Sequence, residues 1–313
     1  MTHRIAVVDI GSNSLKYSVT EIDAEGKQHV IAALAETVRL ATGVVSTGTI
    51  EPHRIELAVA ALRHFEDQAR LLGVEAMRGV ATAALRMASN GGDMLERIAG
   101  ETSWRVRVIS GDEEARLVFE GLKGELPSTG TCVIADIGGA STELIRVENG
   151  ATAAARSIGI GSGTLADHGF LADPPGLDAV ATAGEVAMET FRGVDVLGPA
   201  GGAPLYLTGG NGLFLSAITN WDKVRLPFVP EFFRRILDRL AVIPAVEVAS
   251  YLGIAEERAR VLPAGGAISL ALVRIVGPIS LHAVPSGIRG GLVREWIESG
   301  FAPDPVPGAP IEG

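Results

Sequence analysis

The sequence predicts an α/β protein built of two similar halves that face each other across a cleft. Three observations predict it. The chain has 313 residues, room for about two domains at roughly 150 residues each. An Asp-Ile-Gly segment with an apolar run before it and small polar residues after it occurs twice. The copies are Ala6-Val7-Val8-Asp9-Ile10-Gly11-Ser12-Asn13-Ser14 and Val133-Ile134-Ala135-Asp136-Ile137-Gly138-Gly139-Ala140-Ser141. Each copy opens the same succession of strand, tight turn, strand, turn and strand, with helical segments behind it.

In the first half, the run ending at Asp9 reads as a strand. Residues 15–22 alternate and stop at Asp23-Ala24-Glu25-Gly26, and a third strand covers 30–34. Ile55, Leu57, Ala58, Ala61, Leu62, Phe65, Ala69 and Leu72 recur at helical spacing within 51–72. Residues 82–86 read as the end of a strand and its loop. Residues 104–109 alternate as a strand and lead into Ser110-Gly111-Asp112-Glu113, a capping-box spacing that opens a helix over 114–122. Pro127 and Gly130 mark the boundary between domains 1–126 and 127–313.

In the second half, residues 144–147 stop at Glu148-Asn149-Gly150, a hairpin signal, and a third strand covers 151–157. Gly159-Ile160-Gly161-Ser162-Gly163 reads as a flexible turn near the cleft. A short strand over 205–208 runs into Gly209-Gly210-Asn211-Gly212, with a helix expected from Leu213. Further helices are expected over 232–243 and 268–276, a strand over 279–284 and a closing helix over 288–298. The tail after Gly300 holds four prolines and is expected to be loosely ordered.

Composition narrows the function. Hydrophobic residues make up 47% and charged residues 20%, as in globular proteins. The formal net charge is −10, which excludes a general nucleic-acid binder and offers nothing to an anionic membrane. The 39 glycines follow no collagen period and leave tight turns or close approach to a ligand. Cys132 is the single cysteine; it fits a reducing compartment and reads as an inert strand residue. The N-terminus reaches Asp9 before any signal-length apolar run, and Arg274, Gly277 and Pro278 interrupt the longest apolar stretch. A soluble, cytoplasmic protein is expected.

The repeated loops carry the chemistry. A strand brings Asp9 to the sheet edge. Gly11, Ser12, Asn13 and Ser14 then expose backbone N–H groups, hydroxyls and an amide that can cradle a phosphate without bulk positive charge. Asp136, Gly138, Gly139, Ala140, Ser141 and Thr142 offer the same groups. An ordinary β-turn explains either loop alone, but the matched pair favours a shared phosphate site. Such a site in an acidic protein needs a cation, and Asp136 and Glu143, with Asp9, can place carboxylates around Mg²⁺. Three acids open this helix, where its dipole favours them; Glu113 fits a capping role, and Glu114, left over, either serves the helix start in the same way or orients and deprotonates a water. Arg86 can pair with a phosphoryl group or form a surface ion pair. Gly209 and Gly210 end a strand as in a nucleotide-approach turn. The sequence lacks Gly-x-x-x-x-Gly-Lys-Ser/Thr and Gly-x-Ser-x-Gly, and its six histidines have no metal-ligand spacing.

At these residues the chain resembles a known family. The paired Asp-Ile-Gly loops resemble the phosphate motifs of the actin-like ATPase superfamily, whose domains are ribonuclease H-like. Residues 9–14, 110–117 and 136–144 with Leu262-Pro263-Ala264-Gly265 resemble the exopolyphosphatase / guanosine pentaphosphate phosphohydrolase family. The resemblance implies metal-dependent removal of terminal orthophosphate from inorganic polyphosphate, or of the 5′ γ-phosphate from guanosine pentaphosphate. It implies Glu114 as the catalytic carboxylate, Asp136 and Glu143 as cation-linked acids, Arg86 as a phosphate contact, and a homodimer. Ala140 stands where the family usually has a third Gly, and Gly290 where it has Glu. Longer members continue past this short, two-domain form. An acceptor-dependent kinase of the same fold and a non-catalytic guanosine tetra- or pentaphosphate-binding module remain as alternatives.

Overall fold

The computed structural model describes residues 2–170, 172–198, 201–210 and 230–301. Each Asp-Ile-Gly segment ends the central strand of a five-stranded sheet. The first sheet contains β1 (His3–Ile10), β2 (Ser14–Ile22), β3 (Gln28–Thr37), β4 (Ala76–Ala81) and β5 (Arg105–Val108), in the order β3-β2-β1-β4-β5. The second contains β6 (Thr131–Ile137), β7 (Thr142–Glu148), β8 (Ala151–Ile158), β9 (Leu205–Thr208) and β10 (Leu281–Ala283), in the order β8-β7-β6-β9-β10. The first three strands of each sheet pair antiparallel and the last two run parallel to the central strand. Both copies break register at matching places, Val19/Thr20 against β3 and Arg146/Val147 against β8. This is the duplicated α/β fold the sequence predicts.

The first half adds α1 (Val44–Thr47), α2 (Pro52–Leu71), α3 (Ala83–Met87), α4 (Gly91–Glu101) and α5 (Gly111–Leu122). The second adds α6 (Ser162–Gly169), α7 (Leu177–Phe191), α8 (Pro230–Leu240), α9 (Ala245–Leu252), α10 (Glu256–Val276) and α11 (Ile288–Glu298). Two of these correct the sequence reading. Residues 82–86 are not strand end and loop: α3 begins at once, with Arg86 N donating to Thr82 O at 3.2 Å. The helix expected over 268–276 starts at Glu256 and runs through Pro263. Every residue from Val261 to Val273 is buried, so tertiary burial outweighs the break that proline and two glycines suggest. By length and composition α10 is apolar enough to cross a membrane, yet 78% of that stretch lies inside the fold, as a core helix does. The rest of the Gly209–Gly212 turn, the helix expected from 213 and the proline-rich tail lie outside the described residues.

One hydrophobic core fills the space between the sheets. It joins Ile5 and Val7 of β1, Ile134 of β6, Leu117, Val118 and Leu122 of α5, and Ile288, Leu292 and Trp296 of α11. The chain therefore returns at its end to pack α11 against α5. The contact is close: a Cβ on Gly121 would stand 2.1 Å from Gly287 O. Gly290 faces the same seam, where a Cβ would meet Ser286 Oγ at 2.5 Å and Gly121 Cα at 3.1 Å. A larger residue there has no space, which accounts for glycine at that position.

Candidate active site

The two Asp-Ile-Gly turns are built alike. Gly11 N donates to Ser14 O at 3.2 Å, and Gly138 N to Ser141 O at 2.9 Å. Strand register sets Asp9 opposite Lys16 and Asp136 opposite Glu143. Each central strand thus ends in an acid whose neighbour is basic in one copy and acidic in the other. The turns converge: a Cβ on Gly139 would lie 3.0 Å from Asn13 N and from Asn13 Cβ.

Each turn is held from behind. Val38 N and Arg39 N donate to Asn13 O at 3.1 and 2.8 Å, and Ala41 N to Ser12 O at 3.0 Å. On the other side, Ser162 N donates to Gly138 O at 2.9 Å, and Gly163 N and Thr164 N to Gly139 O at 2.8 and 3.0 Å. The Gly159–Gly163 segment is therefore no flexible turn. Gly161 caps α6, and its lack of a side chain lets the helix start press on the second loop; a Cβ would stand 2.4 Å from Gly139 C.

Between the loops lies a cleft lined by Asp9, Gly11, Ser12, Asn13, Ser14, Gly138, Gly139, Ala140, Ser141 and Glu143, with Asp136, Glu114, Lys16, Gly210 and Arg258. Thr142 is buried beside it, its hydroxyl donating to Ile160 O at 2.6 Å. Gly209 packs against Asp136, where its φ of +78° suits glycine and a Cβ would stand 2.2 Å from Asp136 Oδ1. At the start of α5, Ser110 Oγ accepts from Glu113 N at 3.1 Å. Glu113 turns outward to Arg107 at 2.8 Å, while Glu114 turns inward to the cleft wall. Arg86 stands behind it, donating from Nη1 to Glu114 Oε2 at 3.0 Å and to Ile109 O at 2.7 Å. The arginine is thus engaged with the carboxylate, outside the cleft lining.

Burial sets the electrostatics. It raises Glu114 to about 7, against the pull of Arg86 and with further push from Asp9 and Asp136. It raises Asp136 to about 6, with Lys16 opposing and Asp9 adding. Glu143 is driven well above the ordinary carboxylate value, first by burial and then by Glu114 and Asp136; Ser157 Oγ donates to it at 2.6 Å. Burial also raises Asp9, against Lys16 and Arg289. Asp9 Oδ1 is buried without a hydrogen-bond partner.

This donor set suits Mg²⁺. Among the described residues no three carboxylate, imidazole or thiolate groups converge closely enough to hold a metal alone. Magnesium asks for less, typically one or two carboxylates with phosphate and water oxygens making up the octahedron. The unpartnered Asp9 oxygen and the raised pKa values of Asp136 and Glu143 fit a cation that relieves both.

Three cationic residues here escaped the sequence reading. Lys16 Nζ lies 3.8 Å from Asp9 Oδ2, and its spacing from Asp9, the same as that of Glu143 from Asp136, was a usable signal. Arg258 reaches the cleft from the first turn of α10, donating to Gly210 O at 3.3 Å. Burial lowers its pKa, and the positive end of the helix dipole disfavours a cation there. Arg289 donates to Tyr17 O at 2.9 Å and borders a small hollow behind Asp9 and Asp136. The family motif at residues 262–265 and the departure at Gly290 lie close to these arginines, but neither spacing assigns them to the loops.

A model of the Ppx/GppA phosphatase family matches residues 18–299. The chain is similar to a PPX-GPPA enzyme of Aquifex aeolicus, at 25% identity over 94% of this chain and 100% of that one, with a TM-score of 0.73. It shares its fold with an exopolyphosphatase from Cytophaga hutchinsonii, at 22% identity over 95% of this chain and 98% of that one, with a TM-score of 0.83. An exopolyphosphatase-like protein gives 24% identity, 96% and 99% coverage and a TM-score of 0.81. The twin loops and their inward glutamate thus sit in a fold shared from end to end with these proteins, and the chain belongs to the Ppx/GppA phosphatase family, a family of phosphohydrolases.

Proposed function

We propose that this protein is an exopolyphosphatase, releasing orthophosphate from the end of inorganic polyphosphate. The observation that carries the reading is Glu114: a buried carboxyl raised to about 7 on the wall of a cleft between two backbone phosphate cradles. The terminal phosphoryl group sits between the 11–14 and 138–141 loops, held by their N–H groups and by the hydroxyls of Ser12, Ser14 and Ser141. Lys16 and Arg258 balance its charge. One or two of the carboxylates Asp9, Asp136 and Glu143 would hold Mg²⁺ together with phosphate and water oxygens, and when bound it would neutralise phosphate oxygens as a Lewis acid. Glu114 accepts a proton from an in-line water. The water oxygen bonds to phosphorus, the bridging P–O bond breaks, and the shortened chain leaves with that oxygen. Arg86 acts through Glu114, fixing its carboxylate and keeping its pKa from rising further. No acceptor other than water is used.

The test is phosphate release from short polyphosphate, long polyphosphate and guanosine pentaphosphate, side by side, with and without Mg²⁺. Metal-dependent release from polyphosphate is expected, with Glu114→Ala slower by about 10²–10⁴-fold. Release from guanosine pentaphosphate alone assigns the other substrate of the pair. Tight binding of guanosine tetra- or pentaphosphate with no turnover makes the protein a sensor, and near-normal release by the variant removes Glu114 from its role.

A further inference from the structure

The supports of the two phosphate loops are themselves tied together across the cleft. Arg39 belongs to the segment that holds the first loop: its own N–H donates to Asn13 O at 2.8 Å. Its backbone is fixed in the left-handed region at φ 55°, an uncommon conformation for a residue with a side chain. Its guanidinium leaves that segment and donates from Nη2 to Asp167 Oδ1 at 2.5 Å. Asp167 lies on α6, the helix whose first turn holds the second loop at Gly138 and Gly139.

We infer that the Arg39–Asp167 ion pair is a strap that holds the two phosphate loops at their closed spacing, which makes both positioning residues for the bound phosphate. The halves also meet through the α5–α11 seam, a hydrophobic contact of touching backbones that admits little movement. The strap is the weaker of the two. Both partners are partly exposed, with side-chain exposures of 25% and 42%, and such pairs are easily opened. Opening it frees the supports of both loops at once, while Glu114, on α5 of the seam, and its partner Arg86 stay in place. The strap therefore governs how tightly the terminal phosphate is gripped and how readily product leaves. The inference rests on the phosphatase reading only for its kinetic arm.

The experiment compares Arg39→Asp, Asp167→Arg and the doubly reversed protein, each first checked for wild-type secondary structure by circular dichroism. Hydrogen exchange of the 11–14 and 138–141 amides is measured alongside KM and kcat with polyphosphate. Each single reversal is expected to speed exchange in both loops and to raise KM by about 5–50-fold with kcat unchanged or higher. The double reversal, which restores an ion pair of opposite polarity, is expected to return both readouts toward wild type. Single reversals with wild-type exchange, or a double reversal no better than either single, overturn the strap. Exchange reads the strap without turnover, so an incorrect substrate assignment leaves that arm decisive.

Discussion

The role proposed for Glu114 makes two demands that conflict, and its surroundings balance them. A base must be ionised to accept a proton, yet burial beside Asp9 and Asp136 favours its neutral form and brings it to about 7. Arg86 opposes that rise from 3.0 Å. Turnover is therefore expected to increase with pH along an acidic limb centred near 7, read from the pH profile of kcat/KM. Arg86→Met removes the cation without removing the carboxylate, so the limb is expected to move to higher pH and the plateau to fall. An unmoved limb would show that Arg86 serves some other purpose. Lys16 makes a related point. It occupies in the first copy the place that Glu143 occupies in the second, so one ancestral position has diverged into a counter-charge and a candidate metal ligand. Cys132, by contrast, is the inert residue its strand suggests, fully buried with its thiol raised to about 11.

The loops depend on elements that touch no phosphate. The start of α6 fits against Gly139 only because Gly161 and Gly163 present bare backbone, and a Cβ on Gly161 would meet Ala140 N at 2.5 Å. These are backbone atoms, so a side chain there must displace the loop. Gly161→Ala is expected to cost about 1–3 kcal/mol in urea unfolding and to lower phosphate release at least several-fold. Full activity in a destabilised protein would show that the loop tolerates the shift. Such packing is nearly invisible in a sequence. The strands were readable because their alternation and turns are local. The helical segments α6, α7 and α9 were not expected, because glycine, proline and short runs obscure their period. The extension of α10 back to Glu256 was hidden by Pro263, and only burial against β6, β9 and neighbouring helices explains why that helix persists.

The cleft stores charge at a cost to the whole fold. Asp136 and Glu114 have ordinary values of 3.8 and 4.5, raised to about 6 and about 7 in the folded protein. A carboxyl whose folded value is raised binds its proton more tightly when folded, so its contribution to stability is present at low pH and lost as pH rises through the folded value. Metal-free protein is therefore expected to lose stability between about pH 4 and pH 7, on the order of 2–3 kcal/mol for Asp136 alone. Turnover by the proposed mechanism is expected to rise over the upper part of the same range. Asp136→Asn should flatten the fall in Tm over pH 5–7, and Mg²⁺ with a short polyphosphate should restore several degrees at pH 7.5 in the wild type. Chelation should abolish that gain, and a Tm insensitive to pH, metal and chelator would remove the metal from Asp136.

Primary structure was enough to specify the doubled strand pattern, the two matching Asp-Ile-Gly turns, the candidate Glu114 and the acidic character of the site. These are written in short segments whose spacing survives as geometry, since strand register carries Asp136 directly opposite Glu143. It could not specify that α11 returns to pack against α5, that Arg86 stands behind Glu114, or that Arg258 and Arg289 reach the cleft region. Those placements follow from long-range packing, in which apolar area and bare glycine backbone bring distant segments together and the charged groups go where that packing carries them.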